Sequence, residues 1–150
     1  MMKALWLIIG FTFTVMVANC QDLDTSMLVG KWKMSSYDVI DNVRLSDHYR
    51  SASPQVRERM DRKIARYIDN TFYHFTSQDS VFYTDLSEGT VVQKSASYIL
   101  QDNGILVIKS EEGKKEKKAK VKDLTIDHLV MSPIGDDGKA KGEMILKRIQ

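Results

Sequence analysis

The stretch Leu28-Val29-Gly30-Lys31-Trp32-Lys33-Met34 decides the fold. From Gly30 onward the residues alternate, with Trp32, Met34 and Ser36 on one face and Lys31, Lys33 and Ser35 on the other. Period two with lysines on the polar side describes a strand buried on one face only.

Working outward, the pattern changes once and then returns. Ser53-Pro54 supplies an N-cap followed by proline at the first helical position. Val56, Met60, Ile64, Tyr67 and Ile68 then recur at helical spacing, while Arg57, Glu58, Arg59, Asp61, Arg62, Lys63 and Arg66 cover the remaining surface. The spacing predicts an amphipathic helix stopping near Asp69-Asn70, with residues 39–52 as the loop leading into it. A solvated helix surface accounts for the basic face better than phosphate binding does.

After Asn70 the chain reads as short β runs. Thr71-Phe72-Tyr73-His74-Phe75-Thr76 is aromatic and β-branched, Ser77-Gln78-Asp79-Ser80 is a turn, and Val81-Phe82-Tyr83-Thr84 returns. Residues 91–100 form the next strand, Gln101-Asp102-Asn103-Gly104 carries an Asn-Gly hairpin signal, and Ile105-Leu106-Val107-Ile108 follows. Strands through Ala119, Val121 and Leu124, at Leu129-Val130-Met131, and over residues 143–149 complete the chain. The last of these puts Met144, Leu146 and Arg148 on one face. Closely spaced turn signals with no helix after Asn70 predict an antiparallel meander. Eight such strands avoid exposed edges by closing into an up-and-down barrel, with one α-helix inserted between strands 1 and 2.

Ahead of this domain, Met1-Met2-Lys3 precedes residues 4–18, an uncharged apolar run. That run is too short for a confident transmembrane helix and suits a signal-peptide core. Residues 1–20 are therefore expected to be a signal peptide, 21–27 a tether and 28–150 the barrel domain. Cys20 is the only cysteine, which excludes an intramolecular disulfide and a cysteine-based zinc site. Val17-Ala18-Asn19-Cys20 resembles a bacterial lipobox, although Asn19 stands where Gly, Ala or Ser is usual. The resemblance implies an acylated Cys20 and membrane attachment. The alternative is an ordinary cleavage site ending at Cys20, giving a periplasmic or secreted soluble protein.

The chain has 150 residues, 43% hydrophobic and 28% charged, which fits one globular domain and excludes a disordered chain. Lys3 is the only charged residue of 1–20, so 21 of the 22 basic residues remain against 20 acidic ones, a net +1. So small a charge excludes a nucleic-acid-binding domain of the basic kind.

Gly30-Lys31-Trp32 opening the first strand, with Arg148 in the last, resembles the calycin pattern shared by lipocalins and fatty-acid-binding proteins. The lipocalin-like domain of bacterial envelope lipoproteins is similar in layout. It has Leu-x-Gly-x-Trp soon after a signal peptide, a late segment like Leu124-Thr125-Ile126-Asp127-His128-Leu129-Val130-Met131, and a basic residue near the end. The resemblance implies that Trp32 and Arg148 form a cation–π plug at the barrel floor. It also implies an exported protein of the bacterial cell envelope that binds a small hydrophobic ligand.

Catalytic signatures are missing: the sequence has no Gly-rich phosphate loop, no His-Glu-x-x-His and no nucleophile elbow. His48, His74 and His128 stand far apart, so neither a metal site nor a cofactor is expected and the protein is read as non-enzymatic. The run Lys114-Lys115-Glu116-Lys117-Lys118-Ala119-Lys120-Val121-Lys122 reads as a charged outer face or guarded edge, with an anionic-lipid contact as the sharper alternative. Met34, Tyr67, Phe72, His74, Phe82 and Tyr98 are the expected ligand-binding residues, with the helix as a lid. Aromatics fall on both strand faces, so the same residues could instead fill the barrel. It would then act as a protein-interaction module of the envelope.

Overall fold

The computed structural model describes residues 23–87, 90–110 and 116–150, the side chains of Leu86 and Ser87 excepted. The expected signal peptide and Cys20 lie outside the described residues. Eight strands run β1 Gly30–Tyr37, β2 Phe72–Phe75, β3 Ser80–Ser87, β4 Thr90–Leu100, β5 Ile105–Ser110, β6 Glu116–Leu124, β7 His128–Ile134 and β8 Met144–Ile149. Each pairs antiparallel with its chain neighbour, and β8 returns to β1, so the sheet is a closed barrel with no free edge.

Period-two alternation selects the inside. Trp32, Phe75, Leu106, Leu129, Leu146 and Val81 are fully buried, each opposite outward residues on its own strand. Every such side chain contributes about 1.5–3 kcal/mol by leaving water. Two bulges interrupt the alternation, between Met34 and Ser36 on β1 and between Val121 and Asp123 on β6. The first corrects the face expected for Ser36. Tyr37, paired with Met144, takes the inward position instead and packs on the core.

The two ends of the barrel differ. At the floor lie the short turns at 76–79, 101–104 and 125–127, together with a 3-10 turn, Thr25–Leu28, capped by the Asp24 carboxylate accepting from Ser26 N–H. Within the expected tether, Leu23 packs on the core and residues 25–27 belong to the 3-10 turn, whose last residue, Leu28, is fully buried. The long connection at the opposite end, the mouth, holds three helices, α1 Asp38–Leu45, α2 Asp47–Ser51 and α3 Pro54–Asn70.

Helix α3 is the one the spacing predicts, begun by Ser53 Oγ accepting from Val56 N–H. Helices α1 and α2 replace the expected loop. They are held by long-range bonds that local propensity does not encode. Glu143 N–H donates to Asp38 Oδ1 at 2.7 Å, Tyr49 Oη to Asp61 Oδ2 at 2.7 Å and Arg44 Nε to Asp61 Oδ1 at 3.2 Å.

Candidate functional site

The floor is closed by Trp32 and Arg148, whose polar groups bond backbone carbonyls of the surrounding turns. Trp32 Nε1–H donates to Leu28 O at 2.7 Å, which fixes the indole against the 3-10 turn. The Arg148 guanidinium lies 4.2 Å from the Trp32 ring centroid and donates to Val29 O, Met27 O and Ile126 O. One side chain therefore ties the N-terminal turn, the β6–β7 turn and the tryptophan together. Gly30 makes room for it. Its φ of +139° is reserved to glycine, and a Cβ there would sit 2.1 Å from an Arg148 nitrogen.

The mouth is built differently. Tyr73 and Tyr83 are cross-strand partners on the inner face, their rings stacked with centroids 6.1 Å apart. Two residues closer to the floor, Phe75 and Val81 are fully buried, so the tyrosines form the first layer above a filled core. Asp85 follows at the rim. Lys94 Nζ and Lys117 Nζ both reach its Oδ2, at 2.9 and 3.3 Å, and Lys117 Nζ also stands 4.8 Å from the Tyr83 ring centroid. The hydrogen bond from Lys94, with Lys117 behind it, holds the Asp85 carboxyl below its ordinary value against the opposing effect of burial.

Helix α3 lies across this end. Its last turn is anchored to the barrel, and Asp61 in its middle accepts from Tyr49 and Arg44. Tyr67 and Ile68 pack on the core, Thr84 Oγ1 donates to Asn70 O, and Phe72 N–H donates to Thr84 Oγ1 at 3.0 Å. Val56, Met60 and Ile64 remain half-buried, and Lys33 reaches Asp69 at 3.7 Å between exposed side chains. Burial raises the Tyr67 phenol above its ordinary value, with the nearby Asp85 charge adding to it. Burial also pushes Tyr73 far up, helped by Tyr67, Tyr83, Asp85 and Tyr37. Both phenols keep their protons throughout the neutral range and can only donate or accept as neutral groups.

Of the expected ligand-binding residues, Met34 and Tyr98 face inward, and Tyr67 packs against the mouth from α3. Met34 is buried midway along β1, its N–H donating to Thr71 O at the end of α3, and Tyr98 Oη donates to Thr76 O at 2.8 Å beside the β2–β3 turn. Phe72, His74 and Phe82 point out of the barrel. His74 and Phe82 pair with each other across the strands on the outer surface, and Phe82 is 37% exposed. Their inward neighbours Tyr73 and Tyr83 take the interior positions instead. Also missing from the expected set are Asp85, Lys94 and Lys117. The parity of Lys117 was available in the sequence, because Ala119 and Val121 are apolar between lysines, whereas that of Tyr83 and Asp85 was not, because Val81-Phe82-Tyr83 is apolar or aromatic on both faces.

Outside the barrel, a groove of about 590 Å³ runs beside α2 and α3, lined by Tyr49, Arg57, Asp61 and Arg62 among others. Tyr49, Asp61 and Arg62 are already engaged, Tyr49 with Asp61 and Arg62 with Glu58, which leaves the groove few free polar groups. Among the described residues no group of three or more His, Cys, Asp or Glu side chains could hold a metal ion. No described helix is long and apolar enough to cross a membrane.

Among solved structures, the chain is similar to bovine odorant-binding protein in complex with a selenium-containing odorant, with 14% identity and a TM-score of 0.46 over 85% of this chain and 73% of that one. It is similar also to the bovine odorant-binding protein complexed with its natural ligand, with 14% identity and a TM-score of 0.45 over 85% and 74% of the two chains. No family model and no curated protein matches the sequence.

Proposed function

We propose that this protein is a non-enzymatic binding barrel that holds a small, largely apolar molecule at its mouth, beneath α3. The observation that carries this reading is the contrast along the barrel axis. Phe75, Val81 and Trp32 are fully buried, whereas Tyr67 and Tyr73 stay partly accessible although they pack on the same core. Small-molecule sites are concave and lined mainly by aromatic and apolar side chains, and the reading places such a site among these tyrosines. Helix α3 serves as the lid, hinged at its anchored C-terminal turn.

The N-terminal segment belongs to the same proposal. Export by a signal peptide, followed by acylation of Cys20, would place the protein in a bacterial cell envelope as a membrane-attached lipoprotein. Leu23 already packs on the barrel floor. Only Gln21 and Asp22 would then separate the anchor from the fold, so the floor would face the membrane and the mouth would open away from it.

Two measurements test this. Protein purified from full-length expression is titrated with the neutral apolar dye Nile red, and saturable enhancement of dye fluorescence is the expected result. A barrel that takes up no dye and carries no extractable small molecule in native mass spectrometry is a filled module, and the binding reading fails. For the anchor, mass analysis of the mature N-terminus should show a diacylated peptide beginning at Cys20. An unmodified peptide beginning at Gln21 defeats the lipoprotein reading and leaves the soluble exported form.

A further inference from the structure

The floor of the barrel carries apolar side chains on its outer side as well as its inner one. Ile126, at 78% the most exposed large apolar side chain among the described residues, tops the β6–β7 turn. The turn does not depend on it. Thr125 Oγ1 donates to Asp127 Oδ1 at 2.8 Å and accepts from His128 N–H at 3.1 Å, so the flanking residues hold it. Met27, in the 3-10 turn, is 43% exposed, and Ile149, closing β8, is 42% exposed. The three are neighbours. Arg148 Nε donates to Ile126 O and Nη2 to Met27 O, both at 2.5 Å, and Ile149 follows Arg148 in the chain. Ile99, also exposed, stands beside Thr25 and Ser26 of the 3-10 turn. Large apolar side chains gathered on one reachable surface mark a place of contact.

What covers this patch is set by where the chain enters the fold. Leu23 lies against the β4–β5 turn, its Cδ1 3.2 Å from where a Cβ on Gly104 would stand, so the chain joins the barrel at the floor. Cys20 is three residue steps upstream, a span of at most about 11 Å even when fully extended. Acyl chains on Cys20 would sit in a bilayer, and so short a connection would hold the floor at the level of the head groups. Charge narrows the surface further. The floor turns, residues 24–28, 76–79, 101–104 and 125–127, carry Asp24, Asp79, Asp102 and Asp127 and neither lysine nor arginine. Such turns repel anionic lipid, whereas the ammonium of a zwitterionic head group suits a carboxylate.

We propose that the floor is a membrane-contacting surface, in which Ile126, Met27 and Ile149 enter the interfacial layer of a zwitterionic bilayer beside the acylated Cys20. Apolar insertion provides the contact, without attraction to anionic lipid. The barrel is then held to the membrane at two points, the acyl chains and the isoleucine-tipped turn, and stands with its mouth in water. This rests on the lipoprotein reading above and adds the contacting residues and the lipid class to it.

The test is tryptophan fluorescence of protein from full-length expression, reconstituted into phosphatidylcholine vesicles. Ile126→Trp should lose most of the emission it adds when the lipid is replaced by its acyl-brominated form. Leu45→Trp, at an exposed position of α1 at the other end of the barrel, should keep its emission. Ile149→Trp stands in should Ile126→Trp fail to fold. Adding phosphatidylglycerol should not strengthen the quenching, and a marked increase overturns the lipid class. Emission of Ile126→Trp that survives bromination, in protein that co-floats with the vesicles, overturns the contact and leaves the anchor standing. Quenching of Leu45→Trp in its place does the same. Self-association that Ile126→Asn abolishes, without quenching by lipid, gives the patch to a second copy of the chain and overturns the bilayer contact. Protein that does not co-float and carries an unmodified N-terminus overturns the anchor, and the contact falls with it.

Discussion

Trp32 and Tyr73 are direct partners across β1 and β2, and both point into the barrel. The tryptophan is fully buried, with its N–H bonded to Leu28 O and its ring covered by Arg148. The tyrosine keeps some accessible surface and leaves its hydroxyl unpaired among the described residues. Neighbours in one sheet thus belong to two different regions. At the floor, Trp32 and Arg148 direct their hydrogen bonds to the backbone of the closing turns and are structural. At the mouth, the Tyr73 hydroxyl has no protein partner among the described residues and is left to solvent or a ligand.

Substitutions should separate the two regions, and the largest effect belongs to the floor. Trp32→Ala removes a fully buried indole and is expected to cost about 3–5 kcal/mol in urea unfolding. Tyr73→Phe removes a hydroxyl that bonds nothing in the chain and should change stability by less than about 1 kcal/mol. Similar losses from the two variants would erase the distinction between floor and mouth.

Arg148→Met comes next. It leaves three backbone carbonyls short of a donor and removes the cation from the indole face, for a cost of roughly 2–3 kcal/mol. Once residues 1–20 are removed Trp32 is the sole tryptophan, so its emission should shift to the red as the plug loosens. An unshifted spectrum in a destabilised Arg148→Met protein would mean that the guanidinium stabilises the turns without covering the ring.

Gly30→Ala tests the same plug from the backbone side. The glycine-only φ and the close approach of Arg148 predict a loss of about 1–3 kcal/mol. Most of that loss should persist in an Arg148→Met background if backbone conformation is its source, and should vanish there if the guanidinium contact is.

The smallest effect is electrostatic and lies at the edge of the floor. His128 sits in the β6–β7 hairpin, its Nε2 2.7 Å from Asp123 Oδ2 and its Nδ1 3.0 Å from Asp127 Oδ1. The hydrogen bond with Asp123, then that with Asp127, raises its pKa above the ordinary histidine value. A group whose pKa is higher folded than unfolded stabilises fully below the unfolded value of about 6.5. That contribution is lost as pH rises through the raised folded value. The Tm of the protein should therefore fall slightly relative to His128→Gln as pH climbs above about 6.5. A constant difference between the two across that window would show that His128 is not charged in the turn.

Much of this architecture was legible in the residues. Gly30-Lys31-Trp32 marked a half-buried strand, Ser53-Pro54 marked a helix start, and Asn103-Gly104 marked a hairpin, because each signal acts within a few residues. Helices α1 and α2 were not legible, since Asp38, Tyr49 and Arg44 are satisfied by Glu143 and Asp61, which lie far along the chain or in another element. The aromatic faces of β2 and β3 were ambiguous for a different reason. Phe72-Tyr73-His74-Phe75 and Val81-Phe82-Tyr83 are aromatic or apolar on both faces, so period two alone is silent about which face turns in.

By itself, then, the sequence determined an eight-stranded antiparallel meander with a helix after its first strand, since alternation, caps and turns are local properties. Which aromatics enter the barrel, that residues 23–28 seal its floor, and that Lys94 and Lys117 converge on Asp85 were decided only by tertiary structure. Closure of the barrel fixes the register of β1 against β8. That register brings Arg148 over Trp32 and pins the inner face of every strand in turn.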